Sequence, residues 1–177
     1  RDRHGQTALM HAAQSESAGG GVIQALVAAG ASVNARDSRG RTALHGFTEH
    51  WKRAATFQAL LKAGADVDAA DDEGVTPLLA ALKAGSMPAA NALIAAGANV
   101  HAVDKSGNTP AFLATIKRMA STRQKLQQRG AQGAPSGALQ CFFRAADRGN
   151  VAEVLRLART PPPDGVDVNA VGGAGVH

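Results

Sequence analysis

Residues 71–82 read Asp71-Asp72-Glu73-Gly74-Val75-Thr76-Pro77-Leu78-Leu79-Ala80-Ala81-Leu82. Asp71 and Gly74 bracket a tight turn, the carboxylate accepting main-chain hydrogen bonds and the glycine tolerating positive φ. Thr76 is placed to cap a helix, and Pro77 takes the first helical position, where a missing N–H costs nothing. The Leu/Ala run that follows is a short first helix. Asn91-Ala92-Leu93-Ile94 belongs to a second helix, which Gly97 ends as a left-handed residue.

The same landmarks recur in both directions. The turn glycines are Gly5, Gly40, Gly74 and Gly107, spaced 35, 34 and 33 residues apart. Two residues after each comes Thr7, Thr42, Thr76 or Thr109. Asp2, Asp37, Asp71 and Asp104 each precede their glycine by three residues. A closing glycine, Gly30, Gly64, Gly97 or Gly130, ends each second helix. After it come Ala31-Ser32-Val33-Asn34, Ala65-Asp66-Val67-Asp68 and Ala98-Asn99-Val100-His101, read as a short extended piece leading into the next turn. A period near 33 residues is that of stacked helical hairpins, each burying its apolar face against its neighbours.

This pattern resembles the ankyrin repeat, with its Asp-x-x-Gly-x-Thr-Pro-Leu-His opening, helical hairpin and Gly-Ala-Asp-Val-Asn ending. The resemblance implies an all-α repeat solenoid of helix-turn-helix units with short β-hairpin or loop fingers. The repeats are placed at about 2–36, 37–70, 71–103, 104–134 and 135–170. The fifth is degenerate, with Gln140 at the Thr position, Cys141 at the Pro position and an insert Thr160-Pro161-Pro162-Pro163-Asp164. Residues 171–177 read as the start of a further repeat, so the chain is expected to be a piece of a longer one.

Composition agrees with a small-residue helical stack. Apolar residues make up 45% of the 177 residues but aromatics only 3%, so the core must be built from Ala, Leu and Val. The lone cysteine cannot form an internal disulfide. No apolar run reaches the length of a transmembrane helix. An intracellular, soluble protein is the resulting expectation. The net charge of +5 is unevenly spread: residues 1–104 hold nine Lys/Arg against ten Asp/Glu, residues 105–163 ten against two.

Signatures of chemistry are missing from the sequence. It has no phosphate-binding Gly-x-x-x-x-Gly-Lys loop and no Gly-x-Ser-x-Gly elbow. No pair of the six histidines shows a His-Glu-x-x-His or Cys/His zinc spacing. The expectation is a non-enzymatic chain without metal or cofactor, which works by binding another protein. His45 stands where the resemblance places a structural histidine. Met10 takes that place in the first repeat. The Asp71-Asp72-Glu73 triplet reads as a solvated turn rather than a cation site.

The resemblance further implies that partners touch finger tips and exposed first-helix positions. Those are Arg3 and His4, Ser38 and Arg39, Asp72 and Glu73, Lys105 and Ser106 at the tips. Gln6, Arg41, Val75 and Asn108 follow the turn glycines. Gln14, Ser15, Glu49, His50, Lys83, Ala84, Ile116, Lys117, Asp147 and Arg148 come from the first helices. Trp51, with one residue inserted beside it, is read either as an interface anchor or as a ring that fills space over the helix ends. Lys117, Arg118, Arg123, Lys125 and Arg129 form a run without an acid, read as a solvated face or a site for an acidic protein segment. Nucleic acid and anionic lipid rank behind, since no aromatics are interleaved with the charges. The resemblance also marks Asn34 and Asn169 as candidate substrates of asparaginyl hydroxylases. Two rival uses are the targeting or regulatory arm of a longer enzyme, whose catalytic part lies outside these residues, and a binder of anionic surfaces through the basic C-terminal half.

Overall fold

The computed structural model describes residues 1–15, 18–49 and 54–131. Eight helices fall in four hairpins: α1 (Ala8–Gln14) with α2 (Gly20–Ala28), α3 (Ala43–Glu49) with α4 (Ala54–Lys62), α5 (Pro77–Lys83) with α6 (Met87–Ala95), and α7 (Pro110–Ile116) with α8 (Ala120–Gln128). The first helices stack in one layer, α1 on α3, α3 on α5 and α5 on α7. The second helices form the other layer, α2 packing on α4 and α6 on α8.

Helices of seven to nine residues are too short to persist alone, so packing must hold them. Leu9, Leu44 and Leu78 lie two residues after the capping position, and each is at most 1% exposed. Leu60, Leu93 and Leu126 fill the second-helix side and are fully buried. At roughly 1.5–3 kcal/mol for each large apolar side chain removed from water, these layers supply much of the stability.

The local signals act as their chemistry requires. The hydroxyls of Thr7, Thr76 and Thr109 accept from the N–H groups of Met10, Leu79 and Phe112 at 3.3, 3.4 and 3.2 Å. Gly30, Gly64, Gly97 and Gly130 close the second helices at φ between 81° and 91°. In the second repeat the Thr42 N–H donates to His45 Nδ1 at 3.1 Å, and His45 Nε2 meets the Val75 carbonyl at 2.9 Å. Met10 plays the local half of this part in the first repeat, where its Sδ accepts the Thr7 N–H at 3.4 Å.

Each finger closes on main-chain bonds, such as Asp71 N–H to Val75 O at 3.0 Å and Gly74 N–H to Asp71 O at 2.9 Å. One closing pair per finger is too little for a ladder, and no strand occurs among the described residues. The fingers are therefore turns, not hairpins of β-structure. The pieces at Val33, Val67 and Val100, expected to be extended, are turns as well. Neighbouring fingers join edge to edge: Ser38 N–H to His4 O, Asp72 N–H to Arg39 O and Lys105 N–H to Glu73 O, all within 3.0 Å. Arg1 and Arg36 add side-chain straps, donating to the carbonyls of Arg36 and Ala70 at 2.7 and 2.8 Å.

The second hairpin departs from the others. Phe47 stands where its neighbours carry Ala12, Ala81 and Ala114, and it stacks on Phe57 with centroids 5.6 Å apart. A ring at a site built for a methyl group spreads the hairpin, and α3 and α4 pack less closely than α5 and α6.

Candidate partner-binding surface

The finger turns are built on their aspartates. Asp37 Oδ1 accepts from the N–H groups of Arg39 and Arg41 at 2.8 and 3.0 Å. Its other oxygen meets Arg41 Nε at 3.0 Å and Arg41 Nη2 at 2.9 Å. Burial pushes the Asp37 carboxyl up, but these donors outweigh it and hold it below the ordinary carboxylate range. Arg41 is thereby committed to its own turn, with 23% of its side chain exposed. It belongs to the frame more than to the surface expected of it.

Residues at the same place in the next two fingers are also internal. Val75 is buried, and Asn108 Nδ2 donates to the buried carboxylate of Asp104 at 2.8 Å. The position after each turn glycine is thus half inside the stack, and only Gln6 and Arg41 keep partial exposure there. Asp104 also receives Lys83 Nζ at 2.7 Å, across from the first helix of the preceding repeat. Burial raises the Asp104 carboxyl, while Lys83 and Asn108 together carry it below its ordinary value.

The tips remain open. Arg3, His4, Arg39, Asp72, Glu73 and Lys105 are all exposed. A cleft of about 640 Å³ runs between the fingers and α5. Ser38 and Arg39 line one wall, Asp72 and Glu73 another, and Ala80, Lys83 and Ala84 the helix side. Both signs of charge therefore face one cleft with a small-residue floor. His45 lies at its base, 2% exposed, and burial holds its imidazole below the ordinary value, hence neutral. It serves the frame. Along the same layer Ile116 is 53% exposed and Lys117 is open to solvent.

The basic run of the fourth repeat is split by the fold. Arg118 and Arg123 line a common pocket, while Lys125 and Arg129 do not. Two residues along a helix is roughly 200° of rotation, which carries Lys125 to the far side of α8 from Arg123. Lys117 caps α7 without joining the pocket. Sequence reasoning grouped these charges because they are close along the chain. Thr115 and Met119, which complete the pocket wall, carry no charge signal and went unnoticed.

The candidates His50, Trp51 and Arg148, the side chain of Glu49, Cys141 and the fifth repeat lie outside the described residues. Asn34 is engaged at both ends of its amide, with Nδ2 donating to Gly64 O at 3.0 Å and Oδ1 accepting Asp66 N–H at 2.9 Å. Asp68 repeats half of this link by accepting Asn99 N–H at 2.8 Å. Among the described residues, no three His, Cys, Asp or Glu side chains gather as metal ligands. Nor is any described helix long and apolar enough to cross a membrane.

Hairpins stacked in two layers, joined by edge-to-edge fingers and ended by left-handed glycines, match the family model described as Ankyrin repeats (3 copies) over residues 1–71 and 48–133, more than half of the chain. The chain belongs to the ankyrin-repeat family. No curated protein matches it. Ankyrin repeats are in general modules of protein–protein interaction. Among the described residues of this ankyrin array, the finger-tip side chains and the outer turn of α7 are open to solvent beside the cleft.

Proposed function

We propose that this chain is a non-catalytic scaffold or adaptor, holding a partner protein in the cleft between its finger tips and first helices. The observation that carries the reading is a division of labour among polar groups. Asp37, Arg41, His45 and Asp104 are bound into the frame, whereas Arg39, Asp72 and Glu73 stand exposed at the rim of the 640 Å³ cleft and Lys105 at the next finger tip. Exposed charges of both signs around a small-residue floor suit a partner that presents complementary charges around an apolar segment.

The test is affinity capture with the tagged chain in its own cells, washed at low and high salt. Under this reading one protein stays in stoichiometric amount at high salt, and Arg39→Glu combined with Asp72→Lys releases it. A partner indifferent to that double reversal would contradict the cleft as its site.

A further inference from the structure

Four cations of the fingers and neighbouring helices are already spoken for. Arg1 and Arg36 strap carbonyls, Arg41 pairs with Asp37, and Lys83 pairs with Asp104. Arg118 and Arg123 differ. Among the described residues neither side chain has a hydrogen-bond or ion-pair partner, yet both line one pocket of about 250 Å³ at the turn between α7 and α8. Thr115 is on the same wall, and the exposed Ala120 lies beside it over the buried Ala114 and Met119. The first turn of α8 contains no acid, and its N-cap residue, Met119, makes no side-chain capping bond. Both charged side chains lining the pocket are positive and the N-terminal end of α8 adds the same sign, while the last carbonyls of α7 are taken up by the N–H groups of Lys117, Arg118 and Met119.

We infer that this pocket takes an oxyanion-bearing side chain of a bound peptide segment, a phosphorylated hydroxyl or a carboxylate, with an apolar neighbour beside it. The inference rests on the reading of the array as a protein-binding module and adds a second point of contact, away from the finger-tip cleft. Two guanidiniums suit one such group, because each presents a planar fork of donors to paired oxygens. The exposed methyl group of Ala120 gives a flanking Leu or Val a place to lie. A membrane or a duplex backbone would need cations along one side of the element. Here Lys125 lies roughly 200° around α8 from Arg123, so the positive charge on α8 is not one-sided. Base stacking would need aromatics, and none lines the pocket.

The test is a titration of the ¹⁵N-labelled 177-residue chain, following the arginine Nε–Hε signals and the amide signals of the last turn of α7 and of α8. The probes are the pentapeptide Ala-Leu-phosphoserine-Leu-Ala, its Glu and unmodified Ser counterparts, inorganic phosphate, and phosphatidylcholine vesicles containing phosphatidylserine. Saturable shifts at Arg118, Arg123 and Thr115 are expected with the phosphoserine or Glu peptide and not with the Ser peptide. Arg123→Gln and Arg118→Gly should each weaken binding about tenfold, while Lys125→Gln, an equal change of charge outside the pocket, stays within about twofold. Arg118→Gly relieves a left-handed backbone, so its loss of binding would not come from unfolding. Silence with both acidic peptides would overturn the inference. So would equal losses in all three variants, inorganic phosphate binding as tightly as the peptide, or arginine-dependent binding to vesicles alone. A chain that still holds its partner through the cleft but is silent here keeps the proposed function and loses this site.

Discussion

Arg118 occupies in the fourth repeat the backbone position that Gly85 occupies in the third, at φ 56° beside 74°. It is the one residue other than glycine with positive φ among those described. The left-handed region costs a side-chain-bearing residue about 1–2 kcal/mol, because Cβ crowds the following carbonyl. Glycine escapes that cost but loses more freedom on folding. Arg118→Gly should therefore stabilise the chain by roughly 0.5–1 kcal/mol, seen as a higher urea midpoint at unchanged slope. A lower midpoint would mean that the arginine makes a contact worth more than its strain.

His45 gives the array a pH response. Its imidazole is buried, and burial holds its pKa below the ordinary value of 6.5. Unfolding returns it to that value, so the unfolded chain binds the proton more readily. The stability from neutral His45 is full above pH 6.5 and is lost as pH falls from there through the folded value. The melting temperature should drop between pH 7 and 5.5, and His45→Gln should flatten that drop while lowering stability at pH 7.

Asp104 acts in a lower window. Its carboxylate accepts two bonds from Asn108 and one from Lys83, with 1% of its side chain exposed. Its folded pKa lies below the ordinary 3.8, so its contribution is present above that pH and fades as pH falls through the folded value. Asp104→Ala should cost about 2–3 kcal/mol at pH 7, with a smaller loss on acidification below pH 4 than the parent shows. Chemical denaturation at the two pH values measures both.

Phe47 tests the spread second hairpin. The equivalent residues are Ala12, Ala81 and Ala114, yet α3 and α4 are set to receive a ring stacked on Phe57. If the hairpin could close, Phe47→Ala would cost little. The packing of α3 on α1 and α5 and of α4 on α2 opposes that closure, and a loss of about 3–5 kcal/mol is expected in urea unfolding.

The frame was legible in the sequence because it is carried by residues with single-purpose chemistry. Asp, Gly and Thr at fixed offsets announced the turns and caps, and even Met10 was correctly placed as a substitute for the frame histidine. The surface was less legible, because a charge does not say whether it faces solvent or its own finger. Arg41 resembled Arg39 on paper, but its stem folds back on Asp37. Asn108 and Val75 took positions that looked like tips and are buried. Lys125 seemed to belong with Arg123 until helical rotation separated them. Phe47 gave no warning, since an apolar residue suits an apolar site whatever its size. The straps from Arg1 and Arg36 were missed because they join main-chain carbonyls, which have no sequence signature.

On the proposed function, a partner protein lies along the finger tips and their cleft. Site-specific photocrosslinking tests it most directly. A benzophenone side chain placed at Arg39, Asp72 or Lys105 samples the exposed tips, and one at Lys62 or Ala95 samples the ends of the second helices. The account predicts one crosslinked protein from the three tip positions in the chain's own cells, and none from the two helix-end positions. Crosslinks from Lys62 and Ala95 with silent tips would contradict it.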